Sequence, residues 1–322
     1  MSKELAFEEG YQKFRSCIHF YGYFHIGFIS FLSLQLLSFL LFFSYFSQSL
    51  VAACGLALFF LTLFSYFVLL FFFQAKKPEQ LLSIRSDFFE ACRSNSSNTT
   101  LFTLCGDLRE FVTFLTAKEP LFYTSPIPFQ TIKPLAEKFK VWLYWKNFHE
   151  LKELFFLLSV KQMVEIVKEA PTDLEIHGNL AKTYTDLSKL YVHPKNSESF
   201  STKLWISPEY SSEQMQEKFL FYSKKAIEEF KILEEYSPKN PWVYAHLAEI
   251  YRLQEKPDLE MKEYEKLLEV SPENLEALFR LGVLYFQLGY NAKGLKSYEA
   301  LLNESPQKAK ELIEHYDSLY FS

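Results

Sequence analysis

With 322 residues, 49% of them hydrophobic, and a net charge of −5, the chain has the bulk composition of a soluble protein of about two domains. That average conceals a run of 60 consecutive residues, 16–75, without one Asp, Glu, Lys or Arg. A run of that kind excludes a simple soluble globule, whose surface elements need a polar face; 18% aromatic residues exclude a disordered chain, and the acidic balance speaks against nucleic acid as a partner.

Residues 1–23 carry Phe7, Tyr11, Phe14, Ile18 and Tyr21 at spacings of 4, 3, 4 and 3, an amphipathic helical stripe. It either lies in a membrane interface or continues the following span as one helix. Two hydrophobic runs follow, His25–Phe46 and Leu50–Phe73, each longer than the ~20 residues that cross a bilayer as a helix. Only Ser47-Gln48-Ser49 separates them, so residues 24–74 read as a transmembrane helical hairpin with the lipid bilayer as its partner. Lys13 and Arg15 precede the first run, Lys76 and Lys77 follow the second, and the tip carries no charge; the positive-inside rule puts both termini in the cytoplasm. A cleaved signal is not expected, because the first apolar run is too long and starts too late. Val51-Ala52-Ala53-Cys54 resembles a lipoprotein cleavage box, yet apolar sequence continues for 19 residues beyond Cys54, so lipidation is not expected either. Two spans without an internal acid or base offer no transport path, and Gln35 and Ser33 are expected to bond between the helices.

Residues 75–133 read as a helical, membrane-proximal region with a Pro-rich connection. A helix is expected over 78–93, opening at Pro78 and turning Leu81, Leu82, Phe88, Phe89 and Cys92 to one face. The polar stretch 94–100 is a linker with sequons at Asn95 and Asn98, unused on a cytoplasmic side. Leu101, Leu104, Cys105, Leu108, Val112 and Leu115 form another stripe, and Pro120, Pro126, Pro128 and Pro134 mark an extended connection. A helix with Phe139, Trp142 and Trp145 then opens residues 134–322. Residues 148–169 read as a second helix stopped by Pro171, with no recognisable first helix to match it. Residues 76–148 carry net charge +3 and 149–322 carry −8, a distribution that suits an acidic domain held off an anionic leaflet.

Ser237-Pro238, Ser271-Pro272 and Ser305-Pro306 recur at a spacing of 34. In the last unit Leu278, Leu281, Gly282, Tyr285, Gly294, Tyr298 and Pro306 follow in phase; in the middle unit Tyr244, Leu247, Ala248, Tyr251, Tyr264 and Pro272 do the same. This pattern resembles the tetratricopeptide repeat, a helix pair that stacks on its neighbours because it cannot bury its own apolar face. The middle unit departs at Glu260, where the family places a small residue for close helix contact. Regular repeats are expected over 241–306 and a split repeat over 174–238, with His177, Leu180, Ala181 and Tyr184 in its first helix and Ala226 and Phe230 in its second. A 33-residue insertion lies between those halves, and 307–321 read as a polar capping helix with Lys308, Lys310 and Glu311 outward. The fold class is therefore all-α, a membrane hairpin followed by an α–α solenoid.

The resemblance implies a concave groove, lined by the first helices, that holds a protein or peptide partner. Its expected lining is Trp242, Glu249 and Arg252 of the middle unit with Phe279, Arg280, Val283 and Phe286 of the last; Leu281, Gly282, Tyr285 and Leu288 are expected to pack between helices. Some members of the family grip a C-terminal carboxylate through Lys, Asn and Arg side chains. Only Arg280 fits that clamp, since Glu276, His246, Gly178 and Lys182 stand elsewhere in it, so docking of that kind is not expected.

No nucleophile, phosphate-loop or metal motif occurs, and paired carboxylates such as Glu228-Glu229 lie on Lys-rich helices. Cys17, Cys54, Cys92 and Cys105 include no C-x-x-C pair and are expected as reduced thiols. The expectation is a non-enzymatic scaffold or adaptor without cofactor or metal; the alternative is an accessory subunit of a membrane enzyme or secretion complex, with the repeats as docking handle. The two-span layout resembles chlamydial inclusion-membrane proteins, but a bacterial inner membrane is favoured over a host-derived inclusion membrane.

Overall fold

The structure is a computed structural model that describes residues 3–41, 50–94, 100–125, 131–192 and 205–321. Among these it is all-helical, with eleven α-helices: α1 Lys3–Leu41, α2 Leu50–Ser94, α3 Leu101–Tyr123, α4 Lys133–Glu169, α5 Leu174–Leu190, α6 Glu213–Tyr236, α7 Pro241–Leu253, α8 Pro257–Val270, α9 Leu275–Gln287, α10 Asn291–Glu304 and α11 Pro306–Phe321. A 3-10 turn, Pro208–Ser211, precedes α6. The hairpin tip, both sequons, Pro126 and Pro128 lie outside the described residues.

The chain divides into two compact units, residues 1–159 with 200–207, and residues 160–199 with 208–322. The first boundary therefore falls inside α4, and not at 133/134 where the sequence reading places it. α4 is one continuous helix, so the stretch 148–169 has no missing first-helix partner.

In the first unit, the N-terminal part of α1 and the C-terminal part of α2 pack with α3 and α4 around an aromatic core. The stripe of Phe7, Tyr11, Phe14, Ile18 and Tyr21 is buried there by protein, on the same helix that carries the first apolar run. Phe88 stacks on Phe111 at 4.2 Å between ring centroids, and Phe14 meets Phe148 edge-on at 4.9 Å. A buried ion pair crosses this core, Lys152 with Glu119, and Tyr123 Oη donates to the same carboxylate at 2.7 Å. Beyond the core α1 and α2 lie side by side with most large apolar side chains outward, including Leu34, Leu37, Phe60 and Phe64. They touch through a few aromatic pairs, such as Phe24 with Phe73 at 4.8 Å, and through polar contacts: Gln35 Nε2 donates to Thr62 Oγ1 at 3.1 Å, and His25 Nδ1 lies 3.0 Å from Tyr66 Oη. Gln35 thus bonds between helices as expected, whereas Ser33 is exposed.

Two prolines do not act as the breakers they were read to be. Pro78 sits inside α2 and Pro120 inside α3. Each costs its helix one i→i−4 hydrogen bond, and tertiary burial holds the helices: Leu81 and Phe88 are buried after Pro78, Leu115 before Pro120 and Tyr123 after it. The buried face of α2 is Leu81, Ile84, Phe88 and Cys92, at i, i+3, i+7 and i+11; Leu82 is exposed and Phe89 half-buried, each one residue off that stripe.

In the second unit the helices form antiparallel pairs, and the 34-residue period is visible atom by atom. The N–H of Ser237, Ser271 and Ser305 each donate four residues back, to the carbonyls of Leu233, Leu267 and Leu301, at 2.7–2.8 Å. Asn240 and Asn274 then cap the next helices, accepting from the N–H of Trp242 and Ala277 respectively. Between the helices of each regular pair the chain reverses through a left-handed residue, Glu255 (φ 56°) in one and Gly289 (φ 80°) in the next, 34 positions apart. The following N–H closes the turn in both cases, Lys256 onto Tyr251 and Tyr290 onto Tyr285. Gly294 is needed for contact: a methyl there would lie 2.5 Å from the Phe286 ring.

The split repeat is α5 with α6. Its helices have 17 and 24 residues against 13 and 14 in the regular pairs. Ten of the inserted residues are thus extra turns at the start of α6, and residues 193–204 lie outside the described chain.

Candidate protein-binding surface on the first helices

The family resemblance assigns partner binding to the first helices, α5, α7 and α9, so each expected lining residue can be placed on them. On α7, Trp242 is 37% exposed, meets the Phe230 and His246 rings edge-on at 5.4 and 4.5 Å, and reaches α5 beside Gly178. Arg252 is exposed at the other end of α7. Between them Glu249 is half-buried and bound: Lys189 Nζ of α5 lies 2.8 Å from its Oε1, and His246 Nδ1 3.3 Å from its Oε2. The hydrogen bond from His246 and the Lys189 ammonium outweigh burial and hold the Glu249 carboxyl down at about 2. Glu249 therefore ties α5 to α7 and is a fixed negative charge on the surface.

The last repeat is a correction. Val283 and Phe286 do not line a groove; both are buried, Phe286 to 1% exposure, against Leu301 of α10 and Ala309 and Leu312 of α11. Phe279 is partly covered by the same cluster, with Lys308 Nζ 5.7 Å from its ring centre. The reason lies in the capping helix, which carries an apolar face, Ala309, Leu312 and Tyr316, at i, i+3 and i+7. It occupies the place a further repeat would take. Leu281 and Tyr285 pack between helices as expected, with Met261 and Leu284.

Arg280 is also engaged, and by the residue that breaks the family pattern. Glu260, 2% exposed on α8, accepts a two-pronged bond from Arg280, Nε to Oε1 at 2.7 Å and Nη2 to Oε2 at 3.1 Å. The carboxylate where a small residue is preferred is thus compensated from the next repeat. A second inter-repeat set joins α6 to α8, where Lys266 Nζ lies 2.8 Å from Glu234 and Lys231 Nζ 3.5 Å from Glu263. In the split repeat His177 takes the position of the family's Trp; its Nδ1 lies 2.6 Å from Glu229 Oε2 and its Nε2 3.0 Å from the Pro171 carbonyl. Two acceptors on one ring call for two protons, and they raise the pKa of His177 although burial opposes this.

What remains open on the first helices is the Trp242 indole at one end of α7, exposed Arg252 at the other, and the Lys189–Glu249 pair between α5 and α7. The sequence reading located Trp242 and Arg252 but passed over Lys189. The spacing rule within one helix carries no signal for a contact between helices.

The tetratricopeptide repeat family model matches residues 243–274 and 275–308. Solved structures that the chain resembles include MamA MSR-1 C2 (14% identity, 75% of this chain and 97% of that one, TM-score 0.33). Another is a thermophilic TPR protein of Thermus thermophilus, TTC0263 (19%, 55% and 93%, TM-score 0.29), and a third is yeast Tom70 (11%, 98% and 76%, TM-score 0.24). No curated protein matches the chain. The matched helix pairs, their repeated turns and their 34-residue register agree, and residues 243–308 of this all-helical protein are tetratricopeptide repeats.

Proposed function

We propose that the chain is a membrane-anchored, non-catalytic scaffold. The 24–74 hairpin crosses a bilayer twice, both termini face the cytoplasm of a bacterial cell, and the repeats hold a protein or peptide segment against the α5–α7 face. Tetratricopeptide repeats are protein-interaction modules, which supports the scaffold; the anchoring rests on another observation. The most apolar 18-residue windows of α1 and α2 have 0% of their residues buried in the protein. Soluble core helices of that composition are covered, and these are bare. An apolar surface of this size needs lipid or another protein around it.

Topology is tested with tags placed before Met1 and after Ser322 in sealed vesicles. Equal protease accessibility of the two tags is expected, and opposite accessibility contradicts the hairpin. The partner face is tested by a photo-crosslinking side chain at Trp242 against one at Glu269, which is exposed on the second helix α8. A discrete protein adduct from position 242 and none from 269 is expected; the reverse places the binding face elsewhere.

A further inference from the structure

A cavity of about 840 Å³ opens in the first unit between α1, α2 and α4. Its wall changes chemistry from one end to the other. Ile29, Tyr66, Leu70 and Phe73 line it from the stretch of α1 and α2 whose outer surface is bare and apolar. Gln74, Lys77, Asn147 and Glu150 line the other end. There Lys77 Nζ lies 2.8 Å and Lys146 Nζ 3.9 Å from the Glu150 carboxylate. Pro78 stands in the same wall and has no N–H to give the Gln74 carbonyl, so a helical acceptor is left over at the polar end.

Lys76 and Lys77 are the first charges after 60 uncharged residues, so the polar end marks where a spanning hairpin leaves hydrocarbon for headgroups. Trp142, on the α4 wall, is 55% exposed at that level, as interfacial indoles are. The volume lies within the ~300–1,000 Å³ of small-molecule sites. The charged side chains of the rim, Lys77, Lys146, Glu150 and Glu153, sum to zero.

We propose that this cavity holds one zwitterionic glycerophospholipid drawn from the bilayer, with an acyl chain along the apolar wall, the phosphate at Lys77 and Lys146, and the ammonium toward Glu150 and Glu153. The proposal rests on the membrane reading of α1 and α2. It turns the first unit into a lipid-reading collar around the hairpin.

The test uses the full chain in nanodiscs. One preparation carries phosphatidylethanolamine with a photoactivatable group in its acyl chain, the other phosphatidylglycerol labelled alike, and the adducts are mapped to peptides. Label from phosphatidylethanolamine is expected on the cavity-lining residues Leu143, Asn147 and Leu154 of α4, which lie outside the apolar runs; Trp142, exposed at the interface, is not counted. Leu143→Trp with Leu154→Trp, which fills the space, should lower that label about tenfold while leaving label on residues 24–41 and 53–73 unchanged. Lys77→Gln with Lys146→Gln should lower it as well; this pair carries the test if the filled variant fails to melt as the parent does. Label on α4 that is absent, indifferent to both variants, or as strong from phosphatidylglycerol overturns the proposal while the membrane reading stands. Absence of label from residues 24–41 and 53–73 overturns both.

Discussion

The two ends of α1 and α2 are built from the same residue types and meet opposite fates. Phe14, Ile18, Leu81 and Phe88 are sealed in a protein core, whereas further along the same helices Leu34, Leu37, Phe60 and Phe64 stand bare. Among the described residues between Phe20 and Phe72, 21 large hydrophobic side chains are exposed. At roughly 1.5–3 kcal/mol for each such side chain left in water, the total is several times the ~5–15 kcal/mol that holds a domain together. The repeats do the reverse. There Leu247, Leu267, Leu284 and Leu301 are covered and even the carboxylate of Glu260 is drawn inside with its own cation. Helical periodicity therefore reports that a face requires cover, and burial in the fold tells which medium supplies it.

The strongest way to break this contrast is to truncate one ring on each side of it. Phe14→Ala should destabilise the first unit by about 3–5 kcal/mol, the usual cost of deleting a buried aromatic ring. Phe64→Ala should cost less than ~0.5 kcal/mol in micelles, as substitutions without protein contacts do. Thermal melting of the full chain in detergent measures both, and equal losses would mean that the Phe64 ring has a protein partner.

In the repeats the same contrast is sharpened by a buried charge. Arg280→Met leaves Glu260 without its cation and should cost about 3–5 kcal/mol. Arg280→Met combined with Glu260→Ala, which restores the small residue of the family pattern, should recover most of that loss. A double variant as unstable as the single one would show that Arg280 acts through packing and not through Glu260.

His177 gives a smaller, pH-dependent effect. Its pKa is raised in the folded protein, so the stabilisation is fully present below the unfolded value near 6.5 and is lost as pH rises through the folded value. The second unit should lose about 2–4 °C in melting temperature across that window, the shift that ~1 kcal/mol produces, and His177→Gln should remove the dependence. Glu249 contributes with the opposite sign: its pKa is lowered to about 2, so its stabilisation is present above the unfolded carboxylate range and is lost as pH falls toward 2. A melting temperature flat from pH 6 to 9 in the parent would contradict the His177 assignment. The smallest expected effect is at Glu255, which holds the left-handed position that its counterpart Gly289 fills without strain. Glu255→Gly should stabilise the repeats by up to about 1 kcal/mol, read from denaturant unfolding.

Much of this was legible in the residues. The Ser-Pro period fixed the repeat frame because each pair ends in the same turn, and the charge-free run marked the bare helices because no fold of this size hides so many apolar residues. In the stripe that opens at Leu101, the side chains of Leu104, Cys105, Leu108, Val112 and Leu115 are buried as their spacing required, and Leu101, the first residue of α3, is exposed. Three features were not legible. Pro78 and Pro120 are helix breakers in water, but burial after Pro78 and on both sides of Pro120 overrides local preference. Val283 and Phe286 sit where the family exposes a groove, and only the apolar face of α11, three residues among polar ones, reveals that the array ends on them. The Lys189–Glu249 pair that ties α5 to α7 joins two separate helices, a relation that no periodicity within a helix encodes.

The central claim is that lipid covers the bare part of α1 and α2, and extraction of membranes from cells expressing the full chain tests it most directly. The account predicts that carbonate at high pH and high salt leave the protein in the pellet and that detergent alone releases it. Recovery in the carbonate supernatant as a discrete folded species would contradict the account, because the exposed Leu and Phe side chains would then have a protein cover.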